Sequence, residues 1–70
     1  MFSVIQFMNG GFKVQAEGSD PDNMESQFYK HISNILNDTG AAKGCVKLVD
    51  ENLDVYDGCI KFIDKPAKNA

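Results

Sequence analysis

The feature that most constrains this chain is a change of hydrophobic period in its middle. In EGSDPDNMESQFYKHISNILNDTG, Met24, Phe28, Ile32, Ile35 and Leu36 recur every three or four residues, the stripe of a helix buried along one side. On either side the period drops to two. Asp20 or Ser19 can cap the helix, Pro21 suits its first turn, and Asp22 and Glu25 complement its positive end. Gly40 is expected as a left-handed terminator, so the helix should span residues 21 to 37.

Before the helix, FSVIQFM (residues 2 to 8) is rich in aromatic and β-branched side chains and runs straight into Asn9-Gly10-Gly11. Asn-Gly favours a tight hairpin, because both central residues of a type I′ turn need positive φ. A loop at Asn9-Gly10 pairs Phe7 with Phe12, Ile5 with Val14 and Ser3 with Ala16. A loop at Gly10-Gly11 moves the register by two and keeps the faces. Either way Ile5, Phe7, Phe12, Val14 and Ala16 share one apolar face.

After the helix, CVKLVDENLDVYDGC reads as a second hairpin. Reversal at Asn52 would pair Val49 with Val55, Leu48 with Tyr56, Lys47 with Asp57, Val46 with Gly58 and Cys45 with Cys59. The strand continues to Pro66. Residues 1 to 65 then form a single ββαββ domain, and 66 to 70 a frayed tail.

This order implies an α+β fold: a four-stranded antiparallel sheet with one helix across one face. A right-handed crossover over one strand gives the order 2-1-3-4 or 1-2-4-3. The core is expected to hold Ile5, Phe7, Phe12, Val14, Ala16, Met24, Phe28, Ile32, Ile35, Leu36, Val46, Leu48, Tyr56, Ile60 and Phe62. The uncovered face would then mix Gln6, Lys13, Gln15, Glu17, Lys47, Asp57 and Lys61 with Phe2, Val4, Met8, Cys45, Val49, Val55, Cys59 and Ile63. Its apolar members, with Phe2, Val4, Met8, Val49, Val55 and Ile63 foremost, are the first candidate partner-binding surface. Exposed edge strands offer a second.

The residues carry little chemistry. Two cysteines thirteen residues apart make neither a CxxC redox motif nor a four-ligand zinc site, and so low a count suits reduced thiols in a cell. Asp50-Glu51-Asn52-Leu53-Asp54 imitates the opening of a calcium loop. Val55 stands where that loop needs glycine, however, and Lys61 where it needs glutamate. His31, the lone histidine, lies on the helix beside Met24, Phe28 and Ile35 with no nucleophile in reach. No catalytic, metal or cofactor site is expected, and the chain reads as non-enzymatic.

Ten acidic against seven basic residues give a net charge of -3, which opposes a phosphate backbone. Binding of nucleic acid through Lys13, Lys47 and Lys61 is therefore a distant alternative. No apolar run suits a membrane span or a secretory signal, so the chain reads as soluble and cytoplasmic. The acidic residues form two patches: Glu17, Asp20, Asp22 and Glu25 at the helix start, and Asp50, Glu51, Asp54 and Asp57 at the second hairpin. Both could steer the chain towards a basic partner.

In size and charge the chain resembles the small inhibitors with which phages and mobile elements occupy host proteins, anti-CRISPR and other anti-defence proteins among them. That resemblance implies a partner protein, such as a host nucleic-acid-processing complex. The other reading is a homodimeric assembly module packed through the outer sheet face.

Overall fold

The computed structural model describes residues 1–68. Its first hairpin turns at Asn9-Gly10, whose φ angles of 53° and 85° are those of a type I′ turn. Strand β1 (Phe2–Met8) and strand β2 (Gly11–Gly18) accordingly pair Phe7 with Phe12 and Ile5 with Val14. Beyond Ile5 the register slips. Val4 faces Ala16 and Ser3 faces Glu17, so Gln15 is the extra residue of a bulge and the expected Ser3–Ala16 pair does not form.

Helix α1 (Pro21–Asn37) has the expected bounds. Asp20 caps it by accepting the Asp22 N–H at 3.1 Å, and Pro21 opens it. Gly40 is not its terminator. Asp38 ends the helix in extended conformation, donating its N–H to the carbonyls of Asn34 and Ile35. The Lys65 ammonium then donates to the carbonyls of Asp38, at 2.8 Å, and Gly40, placing a cation at the negative end of the helix.

Strands β3 (Ala42–Val49) and β4 (Val55–Lys65) complete a sheet of order β2-β1-β3-β4, antiparallel throughout. This is one of the two expected orders. Past β4, the Lys68 N–H donates to Thr39 O at 2.8 Å, so the start of the expected tail returns to the end of the helix. Asn69 and Ala70 lie outside the described residues.

On β3 the helix covers the expected Val46 and Leu48, and Ala16 and Tyr56 also pack beneath it, but on β1, the start of β2 and the end of β4 it covers the opposite face from the one expected. Val4, Val46 and Leu48 are fully buried, and they join Met24, Phe28, Ile32, Cys59 and Ile63 in one core. Phe2, Met8, Ala16, Ile35, Ala42 and Tyr56 pack around it. Of the residues expected inside, Phe7, Phe12, Val14, Leu36 and Phe62 are exposed, while Ile5 and Ile60 are half-buried.

Two causes account for the exchange. In β1 both faces are apolar, so alternation along that strand alone does not choose between them. Pairing with β3 decides: Val4 stands beside Leu48 and Gln6 beside Val46, whereas Ile5 and Phe7 stand beside Lys47 and Cys45. In β4 the cause is a large bulge. Val49 pairs with Val55 as expected, but Lys47 then pairs with Ile60 and Cys45 with Phe62. Paired numbers summing to 104 give way to pairs summing to 107, so three extra residues enter β4. The expected pairs of Leu48 with Tyr56, Lys47 with Asp57, Val46 with Gly58 and Cys45 with Cys59 are lost.

Asp57 and Gly58 absorb the bulge with φ of 53° and 68°. Because side chains alternate, an odd insertion exchanges the faces of everything beyond it. Cys59 and Ile63 turn into the core, and Ile60 and Phe62 turn out.

Candidate interaction face

The open side of the sheet is organised in rows that cross the strands. Phe12 pairs with Phe7, Phe7 with Cys45, and Cys45 with Phe62, giving one continuous row over all four strands. The next row is Val14, Ile5, Lys47 and Ile60. A third joins Glu17, Ser3, Val49 and Val55. Apart from Lys47, the first two rows are apolar.

Phe12 and Phe62, at the two ends of the first row, are 72% and 73% exposed. The rings of Phe7 and Phe12 lie 6.0 Å apart at 34°. Lys47 holds its ammonium 5.3 Å from the Phe7 ring centroid, a cation–π contact that lays its stem along the face. Ile5, Phe7, Phe12, Lys47, Val49 and Leu53 enclose a shallow depression of about 380 Å³. Leu53 overhangs it from the hairpin tip with φ of 66°.

Charge on this side is balanced. Lys43 and Lys47 bring two positive groups, and Asp64 and Glu17 two negative ones, with Lys43 and Asp64 adjacent in the register. Lys13 and Lys61, offered with Lys47 as a basic strip, alternate onto the helix side.

Of the six residues expected to form the binding face, Phe2, Val4, Met8 and Ile63 pack under the helix. Val49 is on the open side but only 2% exposed, and Val55 is there and exposed. The aromatic residues that form the face, Phe7, Phe12 and Phe62, are ones that strand alternation alone places in the core. The signal available for Phe62 was Gly58, since a glycine inside an alternating strand marks a bulge.

The acidic residues divide by role. Asp20 caps the helix. Asp50 accepts the N–H groups of Asn52, at 2.8 Å, and Asp54, at 3.1 Å, which makes the calcium-like sequence an Asx turn. Glu51 meets the N-terminal ammonium at 3.2 Å in an exposed pair. The bulge brings Asp57 to Glu25, joining the two patches. The hydrogen bond with Asp57, then burial, then the charges of Asp57 and Asp22 hold the Glu25 carboxyl above its ordinary value. Burial first, and the nearby charges of Glu25 and Asp57 next, push the Cys59 thiol up as well.

His31 lines a polar groove of about 540 Å³ with Gln6, Gln15 and Asn34. The bulge turns Gln15 towards this side, where its amide donates to Gln6 Oε1 at 2.7 Å. Among the described residues no three His, Cys, Asp or Glu groups are gathered as metal ligands, and no helix is long and apolar enough to cross a membrane.

No protein-family model, curated protein or solved structure matches the chain.

Proposed function

We propose that this protein is a non-enzymatic interaction module that docks onto another protein surface through the open face of its sheet. The observation that supports this most is the row Phe12–Phe7–Cys45–Phe62, which ends at both edges of the sheet in phenylalanines nearly three-quarters exposed. Two large rings left in water on so short a chain forgo about 2 kcal/mol each of burial free energy, which docking would recover.

The module acts by occupying a surface, without cofactor or metal. That is the manner of the small phage and mobile-element inhibitors it resembles in size and charge, and it suits a cytoplasmic protein. Nucleic acid is a poorer occupant of the face, because Lys47 and Lys43 are offset there by Asp64 and Glu17.

A photo-crosslinking amino acid in place of Phe62 tests the reading in producing cells, with Tyr29, 61% exposed on the helix, as the control position. Discrete protein adducts from position 62 and none from position 29 are expected. Adducts from 29 alone, or to nucleic acid from 62, would overturn it.

A further inference from the structure

We infer that the occupant of the open face is a second copy of this chain, stacked sheet on sheet about a two-fold axis parallel to the strands. The inference rests on reading that face as a docking surface, and it names the partner. Three properties of the face carry it.

The first is the order of residues in the rows. About such an axis each row meets its own copy in reverse. Phe12 then lies over the second copy's Phe62, and Phe7, a large side chain, over the second copy's Cys45, a small one. In the next row Val14 meets Ile60, and Ile5 meets the stem of Lys47, whose ammonium is already turned onto the Phe7 ring. The large-against-small pair of Phe7 and Cys45 lies beside the axis and lets the two faces close to about 10 Å, while the exposed rings of Phe12 and Phe62 meet at the edges and apolar side chains meet in the next row.

The second is charge. Lys43 and Lys47 balance Asp64 and Glu17, so the open face carries no net charge and two copies meet without the repulsion that the chain's overall charge of -3 would bring. The residual negative charge of the chain lies at the hairpin tip and the start of the helix, outside the two apolar rows.

The third is area. Four strands about 4.8 Å apart, each contributing about seven residues at roughly 3.3 Å, give a plane of roughly 450 Å², and side-chain relief raises the accessible area to the order of 600 Å² per copy. That reaches the lower end of specific interfaces, the size class of weak, readily exchanging complexes.

Cys45 supplies an internal ruler. Beside the axis, the two Cys45 Cα atoms lie about 11 Å apart, too far for a disulfide but within reach of a short bis-maleimide. Cys59 is buried on the other side.

Sedimentation velocity on the purified chain from about 5 to about 500 µM should move from monomer to dimer mass, and Phe12→Asp or Phe62→Asp should weaken the dimer at least about tenfold. Both positions are exposed, so circular dichroism should be unchanged, and Tyr29→Asp should leave the mass profile as it was. A bis-maleimide of about 10 Å should join two chains, and Cys45→Ala but not Cys59→Ala should abolish the product. A monomer at every concentration, a dimer indifferent to both Asp substitutions, or crosslinking that survives Cys45→Ala would overturn the inference. If the monomer result came with foreign-protein adducts from position 62 in cells, the second-copy inference would fall and the docking reading would stand. A monomer with no such adducts would remove both.

Discussion

Cys45 stands opposite Phe62, and Cys59 lies on the other side of the sheet from it, within the core. A symmetric reversal at Asn52 would have brought the two thiols face to face. Three additional residues in β4 carry them apart, and their chemistry separates with their positions. Cys45 is half-buried on the open face, whereas Cys59 is 4% exposed and its thiol is kept protonated by burial and by the charges of Glu25 and Asp57.

Alkylation of the native protein at neutral pH should therefore label Cys45 rapidly and Cys59 only as fast as the chain opens. Mass spectrometry of peptides over time gives both rates. Mild oxidation should form no Cys45–Cys59 bridge within one chain, and equal labelling rates would contradict the burial of Cys59.

The exchange of faces predicts an asymmetry in stability. Val4→Ala and Leu48→Ala empty volume under the helix and should each lower the unfolding free energy by about 2 to 4 kcal/mol. Phe12→Ala and Phe62→Ala remove larger side chains from exposed sites and should each lower it by less than about 1 kcal/mol. Urea unfolding of dilute protein measures all four. A larger loss at Phe12 than at Val4 would mean that the helix covers the other face.

Two glycines should respond to alanine for different reasons. A Cβ on Gly44 would drive into the backbone carbonyl of Phe7 on the neighbouring strand, where neither backbone can give way. Gly44→Ala should cost about 3 kcal/mol or more, or prevent folding. Gly58 has open space around its Cα but a φ of 68°, so Gly58→Ala should cost only about 1 to 2 kcal/mol. Denaturant midpoints that ranked them in reverse order would contradict the close approach of β1 and β3 at Gly44.

The Glu25–Asp57 contact makes a prediction with a definite sign. Because the Glu25 pKa is raised on folding above its ordinary 4.5, its stabilising contribution is fully present below about 4.5 and is lost as pH rises through the folded value. At neutral pH two carboxylates face each other across the bulge. Glu25→Gln should therefore raise the melting temperature modestly at pH 7, with the gain vanishing as the pH falls below 4.5. A gain that grew in acid would contradict the contact.

Much of the architecture was legible in the sequence because it rests on local signals. Asn9-Gly10 specifies its turn by positive φ, Asp20 and Pro21 start the helix, and the stripe of Met24, Phe28, Ile32 and Ile35 runs true to position 35. Leu36 falls outside that stripe because the buried face of the helix ends short of it. What was not legible was which side of the sheet the helix would cover.

That choice depends on non-local pairing. Val4 and Phe7 are both apolar, and only their partners Leu48 and Cys45 separate them. It depends also on counting residues through the second hairpin, where one bulge at Asp57-Gly58 exchanges Cys59 and Ile63 with Ile60 and Phe62. That one bulge reverses the expected face of every residue from Cys59 to Ile63. The candidate site moved with it, from a mixed polar surface to one crossed by three phenylalanines.

If the protein acts by docking through its open sheet face, that face is covered in the assembled form. Hydroxyl-radical footprinting read by mass spectrometry tests it most directly, comparing dilute purified protein with the assembled form isolated from producing cells. Phe12, Phe62 and Tyr29 should all oxidise readily in the dilute protein. In the assembled form Phe12 and Phe62 should be protected several-fold while Tyr29 oxidises as before. Equal oxidation of Phe12 and Phe62 in the two samples would contradict the account.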